Sequence, residues 1–230
     1  MPPTMPQYGP IYVETDPSRF IVEPWNTASG ILFYVVVAWW AWRLRGQWRR
    51  FPFLTGCLPI LAAGAVGGTV YHAFRGHWAW LFLDWVPIAI LTTASSIWAW
   101  WGVLRRRWLI GLVVPLLLVL QRGAFRFLPH GWAINFAYAC LAANVVVPVV
   151  LLLARTRWAH GRWPLAAAGC FALALAARVL DRPAAAVLPM GSHFLWHVFG
   201  AAACHCGFLY IYWTVAGDDV RKEYRITNKE

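Results

Sequence analysis

Residues 53–74 read FLTGCLPILAAGAVGGTVYHAF, an apolar stretch that contains no Asp, Glu, Lys or Arg. A helix needs about 20 apolar residues to cross the hydrocarbon core of a bilayer, so this stretch predicts a transmembrane helix. Further apolar segments occur at 24–43, 78–101, 108–121, 131–154, 163–180 and 190–216. The segment at 108–121 is short, and it either crosses a locally thinned bilayer or forms a re-entrant helix. We therefore predict an all-α, polytopic bundle of seven transmembrane helices rather than six.

The composition agrees with this class and excludes a water-soluble domain. The 230 residues are 60% hydrophobic and only 13% charged, whereas a soluble domain carries about 25% charged residues. The formal net charge of +11 does not indicate nucleic-acid binding, because the basic residues lie at the ends of apolar segments rather than in one patch. At those ends they anchor helices and contact anionic headgroups. The expected partner is the lipid bilayer and not a nucleic acid, and the oligomeric state stays open.

The distribution of Lys and Arg predicts the orientation of the chain. Most of these residues lie in the connections after the first, third and fifth apolar segments and in the C-terminal tail. Because Lys and Arg concentrate on the cytoplasmic side of membrane proteins, the N-terminus should face outside and the C-terminus the cytoplasm. The chain then divides into an N-terminal extramembrane segment (1–22), a seven-helix transmembrane domain (23–216) and a charged cytoplasmic tail (217–230).

Ionisable side chains within the spans are few, and this topology places them at one depth. Such residues are costly to bury in a membrane and are therefore candidates for function. The second segment runs outward and ends near His72, whereas the third and seventh run inward from Asp84 and from His193 with His197. Three further polar residues fall at the same outer level: Glu23, Asn26 and Asp181. We expect one polar layer near the outer surface.

The histidines in this layer have the spacing of metal ligands. His193 and His197 are four residues apart, so both rings lie on one face of a helix, and His72 supplies a third nitrogen from another helix. Three protein ligands with an open position are typical of catalytic zinc, whereas structural zinc has four. Asp84 would then hold and deprotonate the water whose pKa the metal lowers. The alternative is that each histidine is a hydrogen-bonded core residue.

Three motifs at these residues resemble the alkaline ceramidases. Residues 23–29, EPWNTAS, resemble the E-x-x-N-x-x-S opening of their first helix. Residues 67–72, GGTVYH, and 84–87, DWVP, resemble their S-x-x-x-H and D-x-x-P blocks, and 191–197, GSHFLWH, resembles their H-x-x-x-H helix. The order, the spacing and the seven-helix frame also match, so the resemblance covers nearly the whole chain. It is nearest to the short bacterial ceramidase-domain proteins, within the CREST superfamily that includes the adiponectin receptors.

The resemblance implies an intramembrane, zinc-dependent amidase with a role in sphingolipid metabolism. It would hydrolyse ceramide, or a ceramide-like lipid amide, to a sphingoid base and a fatty acid. His72, His193 and His197 would hold the zinc, and Asp84 would orient the zinc-bound water that acts as the nucleophile. The family has a serine four residues before the first histidine; here that position is Gly68, and the neighbouring Thr69 is the candidate substitute. A bacterial protein of this kind is expected in the inner membrane, with the active site towards the outer side.

Alkaline ceramidases also bind calcium through carboxylates before and at the start of the first helix. Glu23 matches one of those ligands, and Glu14 and Asp16 supply carboxylates upstream. Because Ca²⁺ takes several oxygen ligands, the resemblance makes these three residues a candidate calcium site. The alternative for Glu23 is a helix N-terminal cap favoured by the helix dipole.

Two other functions remain open at the level of sequence. The first is a seven-helix receptor or lipid-binding protein with a structural zinc, which the absence of the family serine at Gly68 favours. The second is a metal or proton transporter that uses the histidines as a relay. The polar residues crowd one side of the membrane rather than tracing a path across it, which disfavours transport.

Overall fold

The described part of the chain is helical. The structure, a computed structural model, describes residues 9–227, except for the side chains of residues 218–227 and of a few residues between 113 and 141. No β-strand occurs within this range. The helices are α1 (Pro24–Arg43), α2 (Pro52–Phe74), α3 (Trp78–Val103), α4 (Ile110–Phe127), α5 (His130–Arg155), α6 (Arg162–Val179), the short α7 (Asp181–Ala184) and α8 (His193–Thr227). The all-α prediction is thereby confirmed for the described residues.

Five helices are long and apolar enough to cross a membrane, as expected of an integral membrane protein. They span Pro52–Phe74, Trp78–Val103, Trp132–Arg155, Arg162–Val179 and His193–Gly217. Helices α1 and α4, with 20 and 18 residues, are not in this group. The seven-span count and the orientation of the termini therefore stay predictions.

The outer surfaces of the helices are apolar. Val35, Trp101, Val119 and Leu165 are each more than half exposed. A soluble monomer rarely exposes large contiguous apolar areas, whereas lipid tails solvate them. This surface agrees with the span assignment, because it would be unfavourable in water.

Two helices extend several residues beyond the C-terminal ends predicted for them. Helix α4 continues past 121 to Phe127, because the long side chains of Arg122 and Arg126 can reach polar surroundings from an apolar helix. Helix α8 continues to Thr227, through most of the predicted tail (217–230), because residues 218–227 contain neither Gly nor Pro. The charged side chains of that tail, and residues 1–8 of the predicted N-terminal segment, lie outside the described residues.

A buried aromatic core fixes α1, α2 and α8 against each other. Trp40 of α1 is fully buried and contacts Phe208 and Tyr212 of α8, with ring centroids 5.5 and 5.8 Å apart. Phe51, which precedes α2, stacks on Tyr212 at 4.6 Å. Aromatic pairs at these separations stabilise a core beyond the area they bury. The core thus holds the helices whose opposite ends carry the polar layer.

Helices α2 and α3 approach each other through glycines of α2. A Cβ built on Gly67 would overlap the Leu83 side chain and lie 2.5 Å from the Leu83 carbonyl carbon. A Cβ on Gly64 would lie 3.0 Å from the Pro87 side chain. Small residues at such spacing let membrane helices pack backbone to backbone. This close packing brings Asp84 of α3 against α2.

We expect Gly67→Ala to destabilise the protein. The added methyl group would force α2 and α3 apart, and overpacking of this kind costs roughly 1–3 kcal/mol. Gly56→Ala is the matched control, because a Cβ at Gly56 of the same helix meets nothing within 4 Å. Thermal unfolding in detergent, followed by tryptophan fluorescence, measures the difference. Equal midpoints for the two variants would contradict this packing.

Candidate metal centre

Three histidines from two helices meet in the polar layer. His72 lies in the last turn of α2, and His193 and His197 lie in the first turns of α8. All three are buried, at 1%, 2% and 6% exposure. Their candidate ligand nitrogens lie within 4.8 Å of one another, and no other group of three or more His, Cys, Asp or Glu in the described part of the chain does so. The structure thus brings together the three residues that the sequence nominated.

The unpaired nitrogens of this cluster fit a metal better than a hydrogen-bonded core. His72 Nε2 and His193 Nδ1 are buried and have no hydrogen-bond partner among the described residues. A buried polar atom left in this state costs about 1–3 kcal/mol. Zinc binds imidazole nitrogen at about 2.0–2.1 Å, which places tetrahedral ligands about 3.3 Å apart. Small side-chain rotations would close the cluster to that spacing, so the donor set fits zinc.

Glu23 fixes the orientation of His72. Its Oε2 lies 2.5 Å from His72 Nδ1, and the carboxylate is fully buried. Metal-bound histidines commonly donate their second N–H to a carboxylate or a backbone carbonyl, which sets the tautomer and the ring angle. With Nδ1 engaged in this way, Nε2 of His72 remains as the ligand atom.

His197 has an equivalent support from α1. Its Nδ1 lies 3.0 Å from the backbone oxygen of Asn26 and 2.8 Å from Ser29 Oγ. A proton on Nδ1 donates to that carbonyl, which leaves Nε2 for a metal. Ser29 is the last residue of the EPWNTAS motif (23–29), and its contact with His197 is not predicted by that motif.

His193 is held by the N-terminal segment. The Tyr12 ring stacks on its imidazole with centroids 3.6 Å apart and planes inclined by 15°. The start of α8 is fixed by Asp181, whose Oδ1 accepts the backbone N–H groups of Ser192 and His193 at 2.8 and 2.9 Å. Asp181, placed in the polar layer from the sequence, is therefore a cap for the histidine helix.

Gly191 makes this cap possible. Its φ is +75°, a backbone conformation that glycine adopts without steric cost. A Cβ at this position would overlap the Asp181 carboxylate and approach Val13. Because Asp181 Oδ2 also accepts the N–H of Val13 at 2.9 Å, one carboxylate joins the N-terminal segment to the start of α8. The helix consequently begins at His193 rather than at residue 190.

Arg75 is the counter-ion of Glu23. Its guanidinium lies 2.6 Å from Glu23 Oε1 and 2.9 Å from the backbone oxygen of Pro10. The residue ends α2 in the left-handed region, at φ 47°. Residues other than glycine are uncommon in this region. The contacts of the guanidinium stabilise this turn, and the turn directs the Arg75 side chain back towards the site. In the sequence, Arg75 is only a basic residue in the connection between the second and third apolar segments.

The three carboxylates of the candidate calcium site have protein partners. Glu14 is buried and accepts the backbone N–H groups of Trp25 and Asn26, so it caps α1, whereas the Glu23 side chain makes no cap. Burial raises the pKa of Glu14. Asp16 is solvent-accessible and pairs with Ser18 and Arg19, and the Ser18 hydrogen bonds lower its pKa.

Among the described residues, Glu14, Asp16 and Glu23 do not form a group of converging ligand atoms. The oxygens of Glu23 accept hydrogen bonds from Thr15, Arg75, Asn26 and His72. These contacts favour Arg75 as the charge that balances Glu23. Calcium binding stays a prediction.

Asp84 lies beside α2 one turn before His72. A Cβ built on Gly68 would be 2.7 Å from Asp84 Oδ1, so the absence of a side chain at Gly68 lets the carboxylate approach. No hydrogen-bond donor contacts Asp84 in the described part of the chain. A half-buried carboxylate without a donor is available for proton transfer.

Thr69, the candidate substitute for the family serine, lies on another side of α2. Its hydroxyl packs against α1, 2.9 Å from a Cβ built on Gly30, and is buried without a hydrogen-bond partner among the described residues. Successive side chains of a helix are turned by about 100°, which separates Thr69 from the side that faces Asp84. Of these two residues, it is Gly68 that faces Asp84.

Arg178 belongs to the surroundings of the site and was not nominated from sequence. Its guanidinium lies over the rings of Tyr138 and Trp196, 4.9 and 5.6 Å from their centroids, and Arg178 lines the same cavity as Tyr12. Arg178 is a charged residue within the apolar stretch 163–180. Ionisable residues within membrane spans are candidates for function, and the same reasoning that selected Asp84 could have selected Arg178. Tyr12 offered no comparable signal, because it lies in an irregular segment.

No protein-family profile matches the chain, and a comparison with curated proteins finds no match. The fold and the site define a class by themselves. The chain is an all-helical protein, in its described part, with five helices able to span a membrane. At one end of its bundle it carries a buried group of three histidines with an adjacent carboxylate.

Proposed function

We propose that the chain is a multi-pass membrane amidase that binds zinc through His72, His193 and His197. The observation that carries the proposal is the convergence of three buried imidazoles, two of which, His72 and His193, have a nitrogen without a hydrogen-bond partner among the described residues. Glu23 and the Asn26 carbonyl hold two of the rings in the tautomer that a metal requires. A histidine that served only as a core residue would need partners for both ring nitrogens, whereas His72 Nε2 has none among the described residues.

The residues around the cluster suit amide hydrolysis. Zinc on three imidazoles, with one open position, would polarise an amide carbonyl and lower the pKa of water. Asp84 is the general base: it takes a proton from the attacking water as the C–O bond forms and returns it to the leaving nitrogen as the C–N bond breaks. Proton transfer of this kind contributes about 10²–10⁴ in rate.

The substrate class follows from the surroundings and from the resemblance to alkaline ceramidases. The site lies at one end of helices whose outer faces are apolar, so an acyl chain would reach it from the bilayer. Ceramide or a ceramide-like lipid amide fits this arrangement, and the products would be a sphingoid base and a fatty acid. We further propose seven spans, with α1 and α4 included, an outer N-terminus, and a location in a bacterial inner membrane with the site towards the outer side.

We expect Asp84→Asn to lower the turnover of a fluorescent ceramide at least about 100-fold, because the amide cannot accept the proton. Zinc content should stay unchanged, since Asp84 is not among the histidine ligands. Asp219→Asn is the matched control, because Asp219 lies on α8 far along the helix from His193 and His197. Turnover and elemental analysis on the same purified samples measure both quantities. Undiminished hydrolysis by Asp84→Asn would show that Asp84 is not the general base.

A seven-helix receptor or lipid-binding protein with a structural zinc is the second candidate. The observation that favours it is Gly68 in the position of the family serine. Zinc-replete protein that binds a lipid amide but does not cleave it would establish this alternative. A transporter is less well supported, because His205, further along α8, packs on Trp39 and Trp40 with ring centroids 4.8 and 5.9 Å away.

A further inference from the structure

A second polar feature lies next to the histidine cluster. A cavity of about 380 Å³ opens between the N-terminal segment, α5 and the corner where α6 meets α7. Tyr12 forms part of its wall and stacks on His193 with centroids 3.6 Å apart. One aromatic ring therefore separates this cavity from the metal centre, and a ligand in it would lie alongside the reacting position.

The wall of this cavity carries an excess of positive charge. Arg178 and Arg182 both line it, together with the amide of Asn135. Asp181 is the one carboxylate in the wall, and its oxygens accept the backbone N–H groups of Val13, Ser192 and His193. Within residues 9–217, neither arginine has a carboxylate within 4 Å.

Arg178 is pre-positioned for an anion. The rings of Tyr138 and Trp196 hold its guanidinium by cation–π contacts, which fix a charge without neutralising it. Guanidinium groups bind carboxylate and phosphate through paired, charge-assisted hydrogen bonds. A half-buried arginine that faces a cavity and lacks a carboxylate is completed by an anionic ligand.

We propose that this cavity binds a carboxylate or phosphate group on the polar half of the lipid amide. The proposal rests on the proposed function, and it narrows the substrate to an anionic lipid amide. The acyl chain of such a substrate remains in the bilayer. Its charged group lies in the cavity and pairs with Arg178 and Arg182. Its amide lies on the other side of the Tyr12 ring, next to His193. A neutral ceramide leaves both guanidinium groups without this contact.

Binding can be tested without turnover. The probes are dodecanoate, dodecyl phosphate and the neutral dodecanol, which contain no amide bond, added to protein in non-ionic detergent. We expect at least one anionic probe to bind about tenfold or more tightly than dodecanol, and the tighter anion identifies the group. Arg178→Gln should abolish the difference, Arg178→Lys should retain part of it, and Arg182→Gln, at an exposed residue, should reduce it in a folded protein.

The control is Arg162→Gln, at the opposite end of α6, where the guanidinium lies over Trp163; it should bind like the original protein. Equal binding of all three probes, or an anion preference that survives Arg178→Gln and Arg182→Gln, would overturn the proposal. So would a preference that disappears in His193→Ala but not in Arg178→Gln, because the anion would then bind the metal. An anion preference in protein that cleaves no amide would refute the amidase and leave the anion site standing.

Discussion

The His193→Ala variant is expected to lose its zinc and all hydrolysis of lipid amides. Removal of one of three imidazoles leaves two nitrogens, too few for the three-ligand site of a catalytic zinc. We expect the metal content to fall from about one zinc per chain to near zero. Elemental analysis of protein purified without chelator, with turnover measured on the same sample, gives both quantities.

His205→Ala is the control for this variant, because His205 lies on the same helix and packs on Trp39 instead of joining the cluster. It should keep its zinc and its activity. The backbone of α8 should persist in His193→Ala, since Asp181 caps the helix through backbone N–H groups that the substitution preserves. Full zinc occupancy in His193→Ala would show that the metal lies elsewhere and would remove the basis of the proposed chemistry.

The helices could be predicted from sequence because hydropathy and length determine them in a membrane protein. The predicted second segment, 53–74, and α2, Pro52–Phe74, differ by one residue. A predicted helix boundary was wrong where a local contact, and not hydropathy, determines the end of the helix. Helix α8 starts at His193 because Asp181 and Gly191 define that point, and neither contact is visible in the apolar pattern.

The meeting of the histidines could be anticipated from topology alone. If successive helices cross the membrane in alternating directions, the end of α2 and the start of α8 lie at the same depth. The proximity of His72 and His193 can therefore be predicted without knowing the conformation of the loops. The structure also shows which ring nitrogen of a histidine has a hydrogen-bond partner and which is left for a metal, and helix directions cannot predict this. That depends on Glu23 and on the Asn26 carbonyl, which lie at the start of α1.

The supporting residues could not be predicted, because they come from irregular chain. Tyr12 and Val13 precede the first helix, where no periodicity indicates a direction for any side chain. Arg75 adopts a left-handed turn, for which the sequence gives no sign, since glycine is the usual residue there. The N-terminal segment nevertheless contributes the Tyr12 ring that covers His193 and the Val13 N–H that donates to Asp181. Tyr12 and Val13 are therefore part of the site.

Glu23→Gln is expected to have the second large effect, and it should act on both stability and metal binding. The substitution keeps the shape of the side chain but removes the negative charge that contacts Arg75 and His72. Breaking a buried ion pair costs about 3–5 kcal/mol. Loss of the partner of a metal-binding histidine lowers metal affinity about 10–100-fold. Thermal unfolding and competition with a zinc chelator measure the two effects separately.

A second substitution separates the two roles of Glu23. In Glu23→Gln/Arg75→Gln the buried charges are removed together, so stability should recover in part, whereas zinc affinity should remain low because His72 Nδ1 still lacks its carboxylate. Recovery of zinc affinity in the double variant would mean that Glu23 acts only through the fold. Glu14→Gln should lower zinc affinity much less than Glu23→Gln, since the remaining side-chain oxygen can still accept from the start of α1 and no hydrogen bond joins Glu14 to His72 among the described residues. A shared calcium site would instead make Glu14→Gln and Glu23→Gln lose bound calcium together.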